Sequence, residues 1–216
     1  MPGKYIGGTF VSRFAVLILL AVLVFTAAHY SSVAAAEEQG PADVIKGFNA
    51  ALLESMKGRD LGYSGRYKLL EPVFKESFAV PFMASASVGS YWKTLKVKER
   101  QTFLDTYTEW SIAQYAHNFN EFSGERFEIA SESKPEQGAV TVVSKLIQPN
   151  DEHVDFHYRL RKIDALWRIV DIHIYGVSQL ALTRVQFVSV IKMKGFDALI
   201  AMLREKINHF SQVGQK

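Results

Sequence analysis

Residues 153–163, HVDFHYRLRKI, alternate without a break. Val154, Phe156, Tyr158 and Leu160 point one way; His153, Asp155, His157, Arg159 and Arg161 point the other. A period of two, apolar on one side and charged on the other, marks an antiparallel strand that covers a core and turns its back to water. Asp164-Ala165 then turns the chain into residues 166–175, LWRIVDIHIY, which are apolar on both sides and so belong in the middle of a sheet. Working upstream, Pro149-Asn150-Asp151-Glu152 reads as a turn, and Ala139 to Gln148 is β-rich. Lys134-Pro135-Glu136-Gln137-Gly138 is a hairpin signal, and Phe127 to Ser133 alternates weakly. The expectation is a four-stranded antiparallel meander.

The flanks are helical. Asp43 to Met56 places Val44, Phe48, Leu52 and Met56 at four-residue spacing, with Asp43 as N-cap and Gly58 as stop. A loop with three glycines, Gly58 to Arg66, leads to a second helix over Tyr67–Phe78, with Pro72 in its first turn or two, where a missing N–H costs least. Pro81 opens a short piece that Gly89 closes. Lys98 to Phe119 is the longest helix. Trp110, Phe103, Tyr107, Leu104, Tyr115, Phe119 and Ile112 cover an arc of about 200° at 100° per residue, twice the stripe usual for a surface helix. It needs cover on two sides, supplied by protein on both or by a ligand on one. Beyond the strands, Leu182 to Lys194 and Phe196 to Phe210 read as two more helices separated by Gly195. Helices, then strands, then helices is an α+β class, with the helices packed on one face of the sheet.

The chain has 216 residues, 48% of them hydrophobic, and no Cys. Disulfide frameworks, thiolate metal sites and a cysteine nucleophile are excluded. A formal charge of +3, with no dense basic cluster, argues against nucleic acid as a partner. Lys4 and Arg13 precede the apolar run Phe14 to Ala28, and Ala34-Ala35-Ala36 precedes Glu37-Glu38. This is a secretory signal with cleavage expected after Ala36, since the run is shorter than the roughly 20 residues of a membrane-spanning helix. Residues 37–216 are then one domain. A secreted chain without thiols suits a bacterial periplasm.

Few residues in the sequence point to chemistry. His153 and His157 lie about 13 Å apart on a strand, too far to share a metal, and on its solvated side. Asp171 and His173 could form an acid–base dyad with His157 nearby, or a polar pair near the sheet edge. Gly176-Val177-Ser178 begins like a nucleophile elbow but lacks the closing glycine, so Ser178 reads as a helix cap. Lys93, Lys96, Lys98 and Arg100 are either a solvated helix start or a surface for anionic head groups. What the chain has in excess is aromatic bulk: 15 Phe, nine Tyr and three Trp. This is either a filled core or an apolar cavity of the kind that takes ligands, with Phe78, Phe82, Met83, Val88, Tyr91, Trp92, Phe103, Tyr107 and Trp110 against the inner sheet face.

Several stretches together resemble the MlaC family of periplasmic phospholipid-binding proteins, also called the toluene-tolerance family. They are Trp167-Arg168-Ile169-Val170-Asp171 with Tyr175-Gly176-Val177-Ser178, and Arg184 and Phe187 ahead of Ile191 and Lys194-Gly195-Phe196-Asp197. Upstream stand Phe78-Ala79-Val80-Pro81-Phe82-Met83 and Gly89-Ser90-Tyr91-Trp92. Ala113-Gln114-Tyr115-Ala116 and Ser123-Gly124-Glu125-Arg126-Phe127 look closest to the hopanoid-associated subgroup, HpnM. The family often carries an acid before Gly-Val-Ser, where this chain has Tyr175.

The resemblance implies a monomeric carrier without cofactor or catalysis. It would hold the tails of a phospholipid or hopanoid between helices and a curved sheet, and exchange them with an inner-membrane ABC-transporter complex and an outer-membrane complex. A tail of about 16 carbons gains roughly 12 kcal/mol from the bilayer, so a carrier must offer an apolar space that returns most of it. The expected tail contacts are Phe78, Phe82, Met83, Val88, Trp92, Phe103, Tyr107, Trp110, Phe156, Tyr158 and Val177. Two rival expectations remain: an enzyme on a cone-like α+β fold using Asp171, His173 or His157, and a signal-anchored assembly factor with a filled core and no ligand.

Overall fold

The computed structural model describes residues 39–213. The signal-sequence reading of residues 1–36 lies outside them. In chain order the described part comprises α1 (Pro41–Lys57), a 3-10 turn (Arg59–Leu61), α2 (Gly62–Ser77), α3 (Val80–Val88), α4 (Tyr91–Thr94) and α5 (Val97–Asn118). The sheet follows as β1 (Arg126–Glu132), β2 (Ala139–Ile147), β3 (His153–Ile163), β4 (Leu166–Ile174) and β5 (Val177–Ser178), and then come α6 (Gln179–Lys194) and α7 (Phe196–Val213). Among the described residues no helix is long and apolar enough to cross a membrane.

The sheet is a meander in the order β1-β2-β3-β4-β5, antiparallel throughout. It therefore has five strands where the sequence predicts four. The fifth, Val177–Ser178, pairs with Ile174 and His173 and is two residues long, too short to leave any periodicity. Three hairpins close on pairs with both residues at positive φ: Gln137-Gly138, Asp164-Ala165 and Tyr175-Gly176. That is the requirement of the tight primed turns whose twist matches the strands they join. A bulge at Val170, where Arg159 pairs with Asp171 and Leu160 with Ile169, re-aims the middle of β4. Beside it, Ala79 donates its N–H to the carbonyl of Ile169 at 2.9 Å, which ties the α2–α3 junction to the sheet.

The inner face of the sheet presents Val140, Val142, Tyr158, Leu160, Ile169 and Ile172 to one core, completed by Phe48, Leu52, Leu70, Phe74, Phe103, Phe187, Leu199 and Leu203 from the helices. The long helix α5 packs against α7, α2 and α3. Phe103, Ile112, Ala113 and Ala116 are buried within it. Its wide apolar arc is thus covered by protein toward its N-terminal end, where Phe187 and Phe196 pack on Phe103.

Three local expectations are corrected. Asp43 is the third residue of α1 rather than its cap; its carboxylate accepts the N–H of Gly40 at 3.3 Å and pairs with Lys46 at 2.9 Å. These contacts hold its pKa below the usual carboxylate value. The glycine-rich segment 58–66 is helical from Gly62. Tyr63 and Arg66 are buried there, and Arg66 donates from Nε to the carbonyl of Ala116 on α5 at 3.0 Å. Tertiary burial outweighs the poor helix propensity of Gly62 and Gly65. The longer helix leaves Pro72 in its second half, exposed, where it forgoes one helical hydrogen bond.

Candidate functional site

Between α5, α6 and the inner face of β2–β4 lies a cleft of about 1070 Å³, at the upper end of the range typical of ligand pockets. One wall is the C-terminal half of α5, through Tyr107, Trp110, Ser111, Gln114, Tyr115 and Asn118. The floor is Leu146, Phe156, Ile172 and Ile174 from the sheet. Met56, Phe74, Phe78 and Met83 close the deep end. The second wall is α6, through Leu180, Leu182, Thr183, Val185, Gln186, Ser189 and Val190. The space is a cleft rather than the enclosed cavity expected, because Leu182, Val185, Gln186 and Ser189 are themselves exposed.

Aromatic rings pack on one another along the lining. Phe74 stacks on Phe78 with ring centres 4.3 Å apart, Phe78 meets Tyr115 at 6.0 Å, and Tyr115 stacks on Phe119 at 5.9 Å. Trp110 lies 5.4 Å from Phe187, which holds the α5 wall against α6. Burial pushes the phenols of Tyr107 and Tyr158 up from their ordinary value near 10, so these rings stay neutral at physiological pH. Polar groups sit among the apolar ones: Ser111, Gln114, Asn118, Glu125, Gln148, Gln179, Thr183, Gln186, Ser189 and Lys206.

One carboxylate seats the α6 wall. Asp171, mostly buried on β4, accepts the N–H of Ile172 at 2.8 Å and of Leu180 at 3.1 Å, and the hydroxyl of Ser178 at 2.6 Å; His173 lies 3.1 Å away. Ser178 Oγ in turn accepts the N–H of Ala181 at 3.0 Å, the capping role its position predicts. A serine, an aspartate and a histidine do meet here, but the carboxylate stands in the centre. The hydroxyl is turned toward it and not toward an imidazole base, which is not the relay that activates a nucleophile. His157 faces His173 across the ladder on the outer side of the sheet, lining a separate pocket of about 390 Å³ with Thr141 and Arg159.

Of the expected tail contacts, Phe78, Met83, Tyr107, Trp110 and Phe156 stand together on the cleft. Val88, Phe103 and Tyr158 are fully buried behind it. Phe103 lies two turns from Trp110 on the same side of α5, but Phe187 and Phe196 pack on it at 6.2 and 5.8 Å and fill the space it would line. Trp92 is half-buried outside the cleft, under the Arg100 guanidinium at 5.5 Å. Phe82 turns outward from α3, one residue and about 100° away from Met83, and Val177 is exposed on β5. Cleft residues outside the expected tail contacts include Met56, Phe74, Tyr115, Phe119, Leu146, Ile172, Ile174 and the whole α6 wall. The signal for α6 is in the sequence: Gln179–Lys194 carries apolar residues on every side instead of along one stripe, which a simple surface helix does not.

Residues 46–205 match the family described as MlaC protein. The chain belongs to the MlaC family. It is 25% identical over 128 residues to the intermembrane phospholipid transport system binding protein MlaC of Haemophilus influenzae, an alignment spanning 57% of this chain and 60% of that relative. Its fold is shared with the phospholipid-binding protein from Ralstonia solanacearum, whose structure was solved in complex with a phospholipid. The TM-score is 0.69 at 19% identity, covering 82% of this chain and 99% of that one.

Proposed function

We propose that this MlaC-family protein is a periplasmic lipid carrier and not an enzyme. The cleft takes the acyl tails, and the head group stays at the margin among Gln114, Gln179 and Lys206. The observation that carries the reading is the aromatic-walled cleft itself, about 1070 Å³ beside the hydrophobic core. Such a space can return much of the roughly 0.8 kcal/mol per CH₂ that a tail gives up on leaving a bilayer. The solved relative that shares the fold was captured with a phospholipid, which supports the same reading. The finer proposals are that the cargo includes hopanoid-type lipid, that residues 1–36 are removed on export, and that the carrier works as a monomer between an inner-membrane ABC-transporter complex and an outer-membrane complex.

Native mass spectrometry of protein purified without delipidation tests the reading. The expected result is a stoichiometric lipid adduct whose fragments identify a phospholipid or a hopanoid. That adduct should be lost in Trp110→Asp protein that melts cooperatively and so is folded. A lipid-free protein, or an adduct retained in full by folded Trp110→Asp, would overturn it. The same spectrum reports whether residues 1–36 remain, which would instead favour an anchored protein.

A further inference from the structure

We propose that the outer side of α6, together with the turn that leads into it, is a docking face for a bilayer bearing anionic head groups, set at the mouth of the cleft. The inference rests on the carrier reading and adds where the carrier meets its lipid source. At 100° per residue, Leu182, Val185 and Met193 fall within about 80° of one another and nearly opposite the buried Phe187 and Ile191. They are exposed to 52, 72 and 70% of their surface. A helix buried on one side is expected to be polar on the other; this one offers water a second apolar stripe.

Three observations select a bilayer over a protein groove. First, α6 carries Arg184, Lys192 and Lys194 and no acid along its 16 residues. Of the three, Lys192 lies about 20° from Val185 at the edge of the stripe, and a cation with no acid beside bulky apolar side chains is the composition of a helix that lies in a lipid interface. Second, Tyr175, at the turn before β5 and α6, is 81% exposed and held at φ 51°. Asn or Gly occupies that turn position at lower cost. A bulky ring kept in a strained conformation and turned to solvent points to a task outside the fold, and Tyr is enriched at membrane–water interfaces. Third, the stripe is continuous with the cleft, since Leu182 and Val185 are also lining residues. A tail leaving a bilayer pressed on this face would enter the cleft without crossing water.

The test is flotation of the protein, expressed from the full chain, with vesicles of phosphatidylglycerol or of phosphatidylcholine. Three proteins are compared: wild type, a triple variant (Leu182→Ser, Val185→Ser, Met193→Ser) and a double variant (Lys192→Glu, Lys194→Glu). All share one N-terminus, so any contribution from it cancels. Wild type should float with the anionic vesicles and lose binding as salt rises. The triple variant should bind at least about tenfold more weakly. The double variant should bind about tenfold more weakly and lose its salt dependence. Thermal melts of all three should coincide, because none of these side chains is buried. Wild-type protein that ignores anionic vesicles, or a triple variant that binds as well as wild type, overturns the docking face. So does capture by a partner protein with no binding to vesicles. If the docking face fails while lipid still co-purifies, the carrier reading stands. Vesicle binding without co-purifying lipid breaks the carrier reading and keeps the docking face.

Discussion

The two halves of α5 carry the same kind of stripe and meet different neighbours. Toward the N-terminal end, Phe103 is sealed by Phe187 and Phe196, and the interior is solid. Toward the C-terminal end, Trp110, Gln114 and Tyr115 face open space with α6 beyond it. An aromatic residue on a helix face therefore says that the face is apolar, not that anything fills the volume in front of it. That depends on how far the opposing side chains reach, which is a property of three elements together.

The contrast can be broken by substitution. The largest effect is expected at the sealed end: Phe103→Ala should cost about 3–5 kcal/mol in urea unfolding. At the open end, Ser189→Trp, which adds bulk at the cleft margin, should leave stability within about 0.5 kcal/mol and reduce the lipid adduct in native mass spectra. Equal stability losses at both sites would erase the distinction. Next comes the seat of the open wall. Asp171→Ala removes one acceptor for Ser178 Oγ and for the N–H groups of Leu180 and Ile172, at a cost of about 3 kcal/mol. Hydrogen exchange should rise across residues 177–183 first if the seat is local, and uniformly if it is not.

The buried phenols set a smaller, pH-dependent effect. Tyr107 and Tyr158 have pKa values raised in the fold above the ordinary value near 10. The unfolded chain therefore releases these protons first, so their contribution is complete below about pH 10 and is lost as pH climbs beyond it. Melting temperature should fall as pH rises above about 10, and Tyr158→Phe should flatten that fall. The smallest effect lies away from both halves. Ala165, at φ 65° in the β3–β4 turn, should accept glycine with a gain of about 0.5 kcal/mol, the relief of left-handed strain less the added freedom of the unfolded chain.

Much of this was legible in the residues. The clean alternation of 153–163 placed β3, and its neighbours followed from turn signals. The long helix was expected within one residue of where it lies at each end. The family resemblance, which rests on the order of several short stretches, is matched by the residues that place the chain in the family. Strand β5 was not legible, because pairing over two residues is decided by the hairpin geometry of Tyr175-Gly176 and not by pattern. The early start of α2 was hidden because burial of Tyr63 and Arg66 overrides its glycines. Phe78, Met83, Tyr107, Trp110 and Phe156 are among the expected tail contacts and line the cleft. Val88, Phe103 and Tyr158 have the same chemistry and sit in the solid interior, a difference that no one-dimensional pattern records.

Helix α6 is secured by Asp171 at its first turn and by Phe187 and Ile191 along its inner side. The residues across from these, on the margin of the cleft, have no part in keeping the chain folded. Natural variation can therefore accumulate at Leu182, Val185 and Ser189 with little danger to the rest of the molecule. A lineage adapting to a membrane of different composition could revise those positions one at a time and keep the fold at every step.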